Sequence, residues 1–224
     1  MDSVYLSKKI LVYIPTYNCS KVIFDLLDDI SQNIWDSCDI LLVDNASPDG
    51  TGKLVADRVS QTQSYNGLKI IRTENNVGYA GSQKLAYRIA TQYPSIENVV
   101  MLHGDGQYPP ELLPSLLDKV GNGYGIVYGY RDKKLFKQEE TPLITFICIK
   151  GLSILESLVT GYPRKEWHSG LVMYSREFLE NVNFDAVTDT YHIDGHLQYA
   201  SGYLGYKVKA VPIWKRYNNF EQFG

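Results

Sequence analysis

The sequence predicts an α/β protein: a three-layer α/β/α sandwich around a mostly parallel, Rossmann-like central sheet. Three observations predict it. Short apolar runs of strand length alternate with segments of helical periodicity. Clusters of Asn, Asp, Gly, Ser and Pro close the runs and lead into the helical segments. The spacing from one run to the next leaves room for a crossover helix each time, which is the signature of βαβ units.

The elements follow in order. Ile10–Ile14 is an apolar strand stopped by Pro15. A helix is expected from Ser20, a plausible N-cap, to Asn33, with Val22, Ile23, Leu26, Leu27 and Ile30 on one face. Ile40–Val43 is the second strand, followed by the turn cluster 44–50 and a helix over Thr51–Gln61. Leu68–Ile71 is the third strand, and the next helix carries Leu85, Ile89 and Ala90. Val99–Leu102 is the fourth strand, Glu111–Val120 a helix, and Ile126–Tyr128 the fifth strand. The last third is less regular: an apolar helix over Leu143–Thr160, a strand over Gly170–Tyr174, a helix over Tyr191–Tyr203 and a strand over Tyr206–Ile213. With no repeat, low-complexity tract or linker, residues 1–224 are expected to form a single domain.

Bulk composition narrows the function classes. Apolar residues make up 44% and charged residues 21%, ordinary for a globular protein. A net charge of −3 without a basic stripe argues against nucleic acid. Cys19, Cys38 and Cys148 are odd in number and lack metal-ligand spacing, which suits a reducing, cytoplasmic setting. Met1–Lys9 does not have the pattern of a signal peptide, and no run of 18 uninterrupted apolar residues marks a membrane span.

In an open parallel sheet, ligands bind beyond the carboxyl ends of the strands. Here those ends are polar four times over: Thr16-Tyr17-Asn18, then Asp44, then Arg72 to Gly78, then the octet His103 to Pro110. One such cluster is usually a turn, whereas four on one edge describe a crevice. No GxGxxG follows the first strand and no GxxxxGK[ST] occurs, so a diphosphate must be held in another way. A divalent cation on one or two carboxylates is the usual alternative.

The motifs Pro15-Thr16-Tyr17-Asn18, Val43-Asp44-Asn45-Ala46-Ser47, Asn75-Asn76-Val77-Gly78 and Gly104-Asp105-Gly106-Gln107-Tyr108-Pro109-Pro110-Glu111 together resemble glycosyltransferase family 2, of GT-A fold. The nearest branch is the dolichyl-phosphate and polyprenyl-phosphate sugar transferases. The resemblance continues through Gly129-Tyr130-Arg131, His168-Ser169-Gly170, Asp194 and Val211-Pro212-Ile213, and so covers nearly the whole chain.

The resemblance implies an inverting, metal-dependent transferase that moves a sugar from a nucleoside-diphosphate sugar to a polyprenyl phosphate or a glycan hydroxyl. It implies a nucleoside pocket at Pro15, Tyr17, Asn18, Asp44 and Asn45, with Gly78 beside it. It implies Mn²⁺ or Mg²⁺ at Asp105 with Gln107 and His103, Asp105 also facing the donor diphosphate. Asp194 falls at the catalytic base, with Glu166 and His168 as runners-up. Three positions depart from the family pattern: His103 where an acid usually opens the metal motif, Val172 where an arginine often stands, and His196 where an acid often follows Asp194. They motivate the rival reading, a degenerate, non-catalytic sugar-nucleotide-binding or scaffold protein. A nucleotidyltransferase of similar fold ranks third, because the first strand lacks a Gly- and Lys-rich phosphate loop. In this branch the helix at 143–160 often lies on a membrane, so the expected setting is cytoplasmic, with a peripheral contact on the cytoplasmic membrane face. A homodimer contact is the alternative use of that helix.

Overall fold

The computed structural model describes residues 5–62, 65, 67–132, 135 and 141–216. The first four positions of the Met1–Lys9 stretch lie outside them. Among the described residues, strands β1 (Ile10–Thr16), β2 (Asp39–Asp44), β3 (Leu68–Arg72), β4 (Asn98–Met101), β5 (Ile126–Arg131), β6 (Val172–Ser175) and β7 (Val208–Ile213) form one sheet in the order β3-β2-β1-β4-β6-β5-β7. β1 is parallel to β2 and β4, β2 to β3, and β5 to β7, while β6 runs antiparallel to both its neighbours. The expected mostly parallel sheet is observed. The reversed β6 brings the segment preceding it, residues 168–171, to the carboxyl end of β4.

Alternate side chains of each strand feed two cores. Leu11, Tyr13, Leu41, Val43, Val99 and Met101 pack under α4 (Gly78–Thr91), α7 (Arg176–Asn181) and α8 (Ile193–Tyr203). Val12, Ile14, Ile40, Leu42, Val100 and Leu102 pack under α1 (Ile23–Asp28), α2 (Gln32–Ser37), α3 (Thr51–Gln61) and α5 (Leu113–Leu117). Because both faces are covered, β2 is buried along its whole length. This is the expected three-layer sandwich. All three cysteines are free.

Two helices differ from expectation. The single helix over Ser20–Asn33 is instead α1 and α2, separated at Asp29–Ser31. Asp28 and Asp29 stand at the carboxyl end of α1 with no basic residue, against the helix dipole, and Ser31 turns extended (φ −63°, ψ 151°) to begin α2. Ile30 and Ile34 still face the core, so the apolar stripe continued across the break. Ser20 is not the N-cap. Val22 holds that position, and the Ser20 N–H donates to Asp49 at 2.9 Å. The helix expected over Glu111–Val120 is a 3-10 turn, Pro110–Leu112, running into the short α5.

The remaining helix, α6 (Leu143–Thr160), is 18 residues long with a mean hydropathy of 1.8, and only 11% of it is buried. By length and composition it could cross a bilayer, but its polar side chains tie it to the protein. Ser157 accepts the Trp167 indole N–H at 3.0 Å and the Arg164 N–H at 3.0 Å, and Glu156 bonds His168 at 2.7 Å. One face therefore lies on the 164–168 segment. The other exposes Leu143, Ile144, Ile147, Ile154, Leu155, Leu158 and Val159.

Candidate active site

The polar strand ends converge as expected on a cleft of about 480 Å³. Pro15, Tyr17, Asn45, Gly78, His103, Asp105, Gln107 and Asp194 all line it. Asn18 and Asp44 do not.

Asp44 is fully buried beneath the wall. Its Oδ1 accepts the Ser47 N–H at 3.2 Å and its Oδ2 lies 3.4 Å from Arg72 Nε. It fixes the β2 turn beside the half-exposed Arg72, and Gly52 of α3 packs closely on its Oδ2, where a Cβ would come within 2.4 Å. Asn18 takes a left-handed conformation (φ 56°) and its N–H donates to Ser47 Oγ at 3.2 Å. It shapes the same turn from the β1 side. Asn45 faces the cleft with its amide already engaged. Its Nδ2 donates to Asn76 Oδ1 at 2.8 Å and Gly78 O at 3.2 Å, and its Oδ1 accepts the Val77 N–H at 2.9 Å. Asn45 therefore positions the start of α4.

That placement matters because of Tyr79, which the sequence showed only as the residue after a motif glycine. Its hydroxyl donates to Asp194 Oδ2 at 2.8 Å and lies 3.3 Å from His103 Nε2. With the Tyr79 proton given to Asp194, the 3.3 Å contact assigns the imidazole proton to Nε2. His103 Nδ1 then presents a lone pair 4.0 Å from Asp105 Oδ2. Burial pushes the His103 pKa down and, with the Asp194 anion alongside, holds the Tyr79 hydroxyl well above its ordinary range. Both are therefore neutral near pH 7. A hydrogen-bonded chain Asp194–Tyr79–His103 thus crosses the cleft, with Asp105 4.0 Å beyond His103 Nδ1.

Asp194 sits in the first turn of α8 and is 6% exposed. Burial raises its pKa to about 6, opposed by the Tyr79 hydrogen bond, the neighbouring Gln83 amide and the nearby His168. Its Oδ1 and the Gln83 Nε2 each lack a partner at hydrogen-bonding geometry. Asp194 is thus a cleft-lining carboxylate with a raised pKa, the property of a candidate base, while its Oδ1 is itself buried. Tyr79→Phe removes a bond that favours the anion. A hydrogen bond to a charged group is worth about 1.5–3 kcal/mol, so the acid limb of a pH–rate profile is expected to rise by about 1–2 pH units. A limb that stays in place would exclude Asp194 as the titrating group.

Glu166 is 1% exposed and committed to Arg131, whose N–H and guanidinium it binds at 2.9 and 3.3 Å. It does not face the cleft, whereas His168 does. Val172 lies in the core beneath it. Gly170 presses on the cleft floor, where a Cβ would come within 2.6 Å of His103 Nε2. Lys215 was not anticipated. It follows β7 at the far side of the sheet, yet the Arg216 N–H bonds Gln107 O at 2.9 Å and brings Lys215 over the Tyr108 ring, 4.4 Å away, at the rim of the cleft.

A family profile described as Glycosyl transferase family 2 matches residues 11–182. The chain belongs to glycosyltransferase family 2. It is 27% identical over 206 residues to the undecaprenyl-phosphate mannosyltransferase of Micrococcus luteus, covering 92% of this chain and 82% of that one. It is 27% identical over 184 residues to the dolichol-phosphate mannosyltransferase of Pyrococcus furiosus, covering 80% of this chain but 49% of that protein. Among solved structures, a Pyrobaculum calidifontis mannosyltransferase in complex with GDP-Man and Mn²⁺ superposes with a TM-score of 0.62 at 23% identity, over 92% of this chain and 55% of that one. These likenesses put the family 2 member near the polyprenyl-phosphate sugar transferase branch and establish its GT-A fold.

Proposed function

We propose that residues 1–224 work as a single catalytic domain, an inverting, divalent-metal-dependent transferase moving a hexose-type sugar from a nucleoside-diphosphate sugar to a polyprenyl phosphate or a glycan hydroxyl. The observation that carries the proposal is the chain of groups across the cleft, with one carboxylate at each end. A direct displacement needs a group for the diphosphate and a base for the acceptor, and Asp105 and Asp194 supply one each.

Pro15, Tyr17 and the Asn45–Gly78 clamp form the nucleoside end of the cleft, with Arg72 held over Asp44 beneath. Asp105 and the Nδ1 lone pair of the neutral His103, 4.0 Å apart, would hold a divalent cation, with Gln107 beside them. Imidazole in place of a carboxylate favours Mn²⁺ over Mg²⁺. Such a cation, when bound, acts as a Lewis acid for the departing diphosphate. Lys215 adds positive charge at the rim. Asp194 takes the proton that an acceptor hydroxyl sheds as its oxygen attacks the anomeric carbon, whereas a lipid phosphate, largely dianionic at pH 7, needs no strong base. Tyr79 holds the Asp194 carboxylate in place, and its ring stacks on Tyr191 with centroids 5.4 Å apart, closing that side. The donor and metal named for the Pyrobaculum structure, and the lipid phosphates named for the relatives, support this assignment.

Incubation with UDP- and GDP-hexoses, Mn²⁺, and either a short polyprenyl phosphate or an oligosaccharide tests it, the product anomer being read by NMR. Inverted product, lost on adding a chelator, is expected. Retained configuration or chelator-insensitive transfer would overturn the mechanism. Nucleotide binding without turnover would return the chain to the non-catalytic reading.

We infer a peripheral contact with the cytoplasmic face of a membrane, a reading that the exposed apolar face of α6 supports. Lys150 is the one cation within α6, so burial of apolar surface rather than charge carries the attachment. Leu158 and Val159 are 76% and 79% exposed, so a Leu158→Glu, Val159→Glu double variant is expected to fold normally and to lose cosedimentation with phospholipid vesicles. If that variant instead abolishes a concentration-dependent dimer, α6 is the homodimer contact.

A further inference from the structure

Asp194 lines the cleft, but its Oδ1 is turned into the core, and the core meets it with a glutamine. Tyr79, Gln83 and Tyr87 stand four residues apart on α4 and so share one face of that helix. Gln83 and Tyr87 are both 0% exposed. An amide buried so deeply among apolar side chains is costly unless each of its ends finds a partner.

One end does. The Tyr87 hydroxyl donates to Gln83 Oε1 at 2.9 Å. The Tyr87 ring is caged by Tyr13, Tyr174 and Phe184, with centroids 6.2, 5.3 and 6.1 Å away, so it cannot swing off the amide. With Oε1 held by a donor, the Nε2 end faces Asp194. Nε2 is a donor without an acceptor, and Asp194 Oδ1 is an acceptor without a donor. The torsion that carries the amide is soft, so a small rotation joins the two. The reversed amide would set Oε1 against the carboxylate.

The other charged and titratable groups nearby are engaged elsewhere or neutral. Lys84, the adjacent cation on α4, is drawn away to Val187 O and Asp189 Oδ1, both at 2.7 Å. Burial raises the phenols of Tyr13, Tyr79, Tyr87 and Tyr174 above their ordinary range, so all four are neutral. Tyr79 serves Oδ2 and meets His103, and Tyr13 pairs with Ser82 at 2.6 Å. His168 is bonded to Glu156, while His192 and His196 line the space beside α6.

We propose that Gln83, oriented by Tyr87, is a positioning residue for sugar transfer: its Nε2 donates to the buried Oδ1 of Asp194 and leaves Oδ2, the oxygen shared with Tyr79, to take the acceptor proton. The inference rests on the transferase reading above, with a hydroxyl acceptor. The acceptor proton passes to Oδ2 as the acceptor oxygen bonds the anomeric carbon and the diphosphate leaves with its electron pair. A neutral amide suits this task. It steadies the anion, whereas an ammonium or guanidinium there would hold it too firmly for a base working near neutral pH.

Two variants test the assignment. Gln83→Met keeps the length of the side chain and removes the donor, and Tyr87→Phe keeps the glutamine and removes the bond that orients it. pH–rate profiles with UDP- or GDP-hexose, Mn²⁺ and an oligosaccharide acceptor are read beside melting curves from pH 4 to 8. Losing a hydrogen bond to an anion makes the carboxyl easier to protonate, so Gln83→Met is expected to move the acid limb up by about one pH unit. At pH 5 its kcat is expected to lie about tenfold below wild type, with the donor KM unchanged. The wild-type carboxyl, raised to about 6, has shed its proton by about pH 7, whereas the variant is still losing stability there. Its melting deficit is therefore expected to widen from about pH 6 upwards, and the widening to vanish in the Asp194→Asn background. Tyr87→Phe is expected to move both readouts the same way by less, and it decides the matter if Gln83→Met does not fold.

An acid limb within about 0.2 pH units of wild type in both variants, or a deficit equal at every pH, would reduce Gln83 to a packing residue and overturn the proposal. A widening that persists in Asp194→Asn would belong to another carboxyl and overturn it too. Transfer to a polyprenyl phosphate alone would leave no acceptor proton to place, and would overturn it while sparing the transferase reading. A widening abolished by Asp194→Asn, with no transfer of any kind by wild type, keeps the Gln83–Asp194 bond and sinks the transferase reading.

Discussion

Asp194→Asn is expected to leave a more stable protein that has lost sugar transfer. The wild-type carboxyl is buried, and burial raises its pKa from 3.8 to about 6. The native state therefore holds a proton more tightly than the unfolded chain does. The stability attached to that proton is fully present below about pH 4 and is lost as the pH rises to about 6. At pH 7 wild type carries the whole cost of a buried anion, on the order of 1–3 kcal/mol. Asparagine is neutral, keeps the shape and still accepts the Tyr79 hydrogen bond. It should melt several degrees higher at pH 7, and the gain should shrink to nothing near pH 4. Without the base, turnover should fall by about 10²–10⁴-fold. Melting curves and initial rates at pH 4, 5.5 and 7 check both halves. A variant that is less stable at pH 7, or one that keeps wild-type turnover, would remove Asp194 from the base position.

The second large effect is at Asp105, the carboxylate at the other end of the chain. It is 28% exposed, and it accepts the Gln107 N–H at 2.9 Å. Asp105→Ala should therefore cost little stability. Stabilisation of the departing diphosphate is worth several kcal/mol, so kcat/KM should drop by about 10³-fold or more. His103→Asp makes the complementary change. It restores a second carboxylate, which is expected to shift the preferred cation from Mn²⁺ towards Mg²⁺. Metal titrations of activity for the two variants and wild type check this pair. An Asp105→Ala enzyme with an unaltered metal curve would contradict the assignment.

Much of this was legible in the sequence for identifiable reasons. The apolar runs of β1, β2 and β4 are continuous because those strands are buried on both faces, so they stood out as strands, while β3 at the sheet edge is only partly buried. The polar clusters at their ends had to share one edge because the strands are parallel. What the sequence hid depends on non-local contacts. The break between α1 and α2 preserves the apolar periodicity, so nothing in the pattern announced it. Asp44 looks like a ligand contact in its motif, yet it is fully buried, with Arg72 brought alongside by β3 and Gly52 packed on its Oδ2. Glu166 appeared available until the fold set Arg131 against it. Tyr79 has no distinguishing neighbour in sequence, and its role follows from α8 presenting Asp194 to it from 115 residues away. Lys215 reaches the cleft only because the segment after β7 folds back over Gln107.

The most direct test is thermal denaturation of wild type and Asp105→Ala with UDP, GDP and CDP, each with and without Mn²⁺ or Mg²⁺. A ligand that binds the native state raises the midpoint by mass action, by about 2.7 kcal/mol at 100 times its Kd. At least one nucleotide is expected to raise the wild-type midpoint only when the cation is present, and the same mixture should leave Asp105→Ala unshifted. No shift of wild type with any nucleotide and cation, or a shift undiminished in Asp105→Ala, would contradict a metal-assisted sugar-nucleotide site in this cleft.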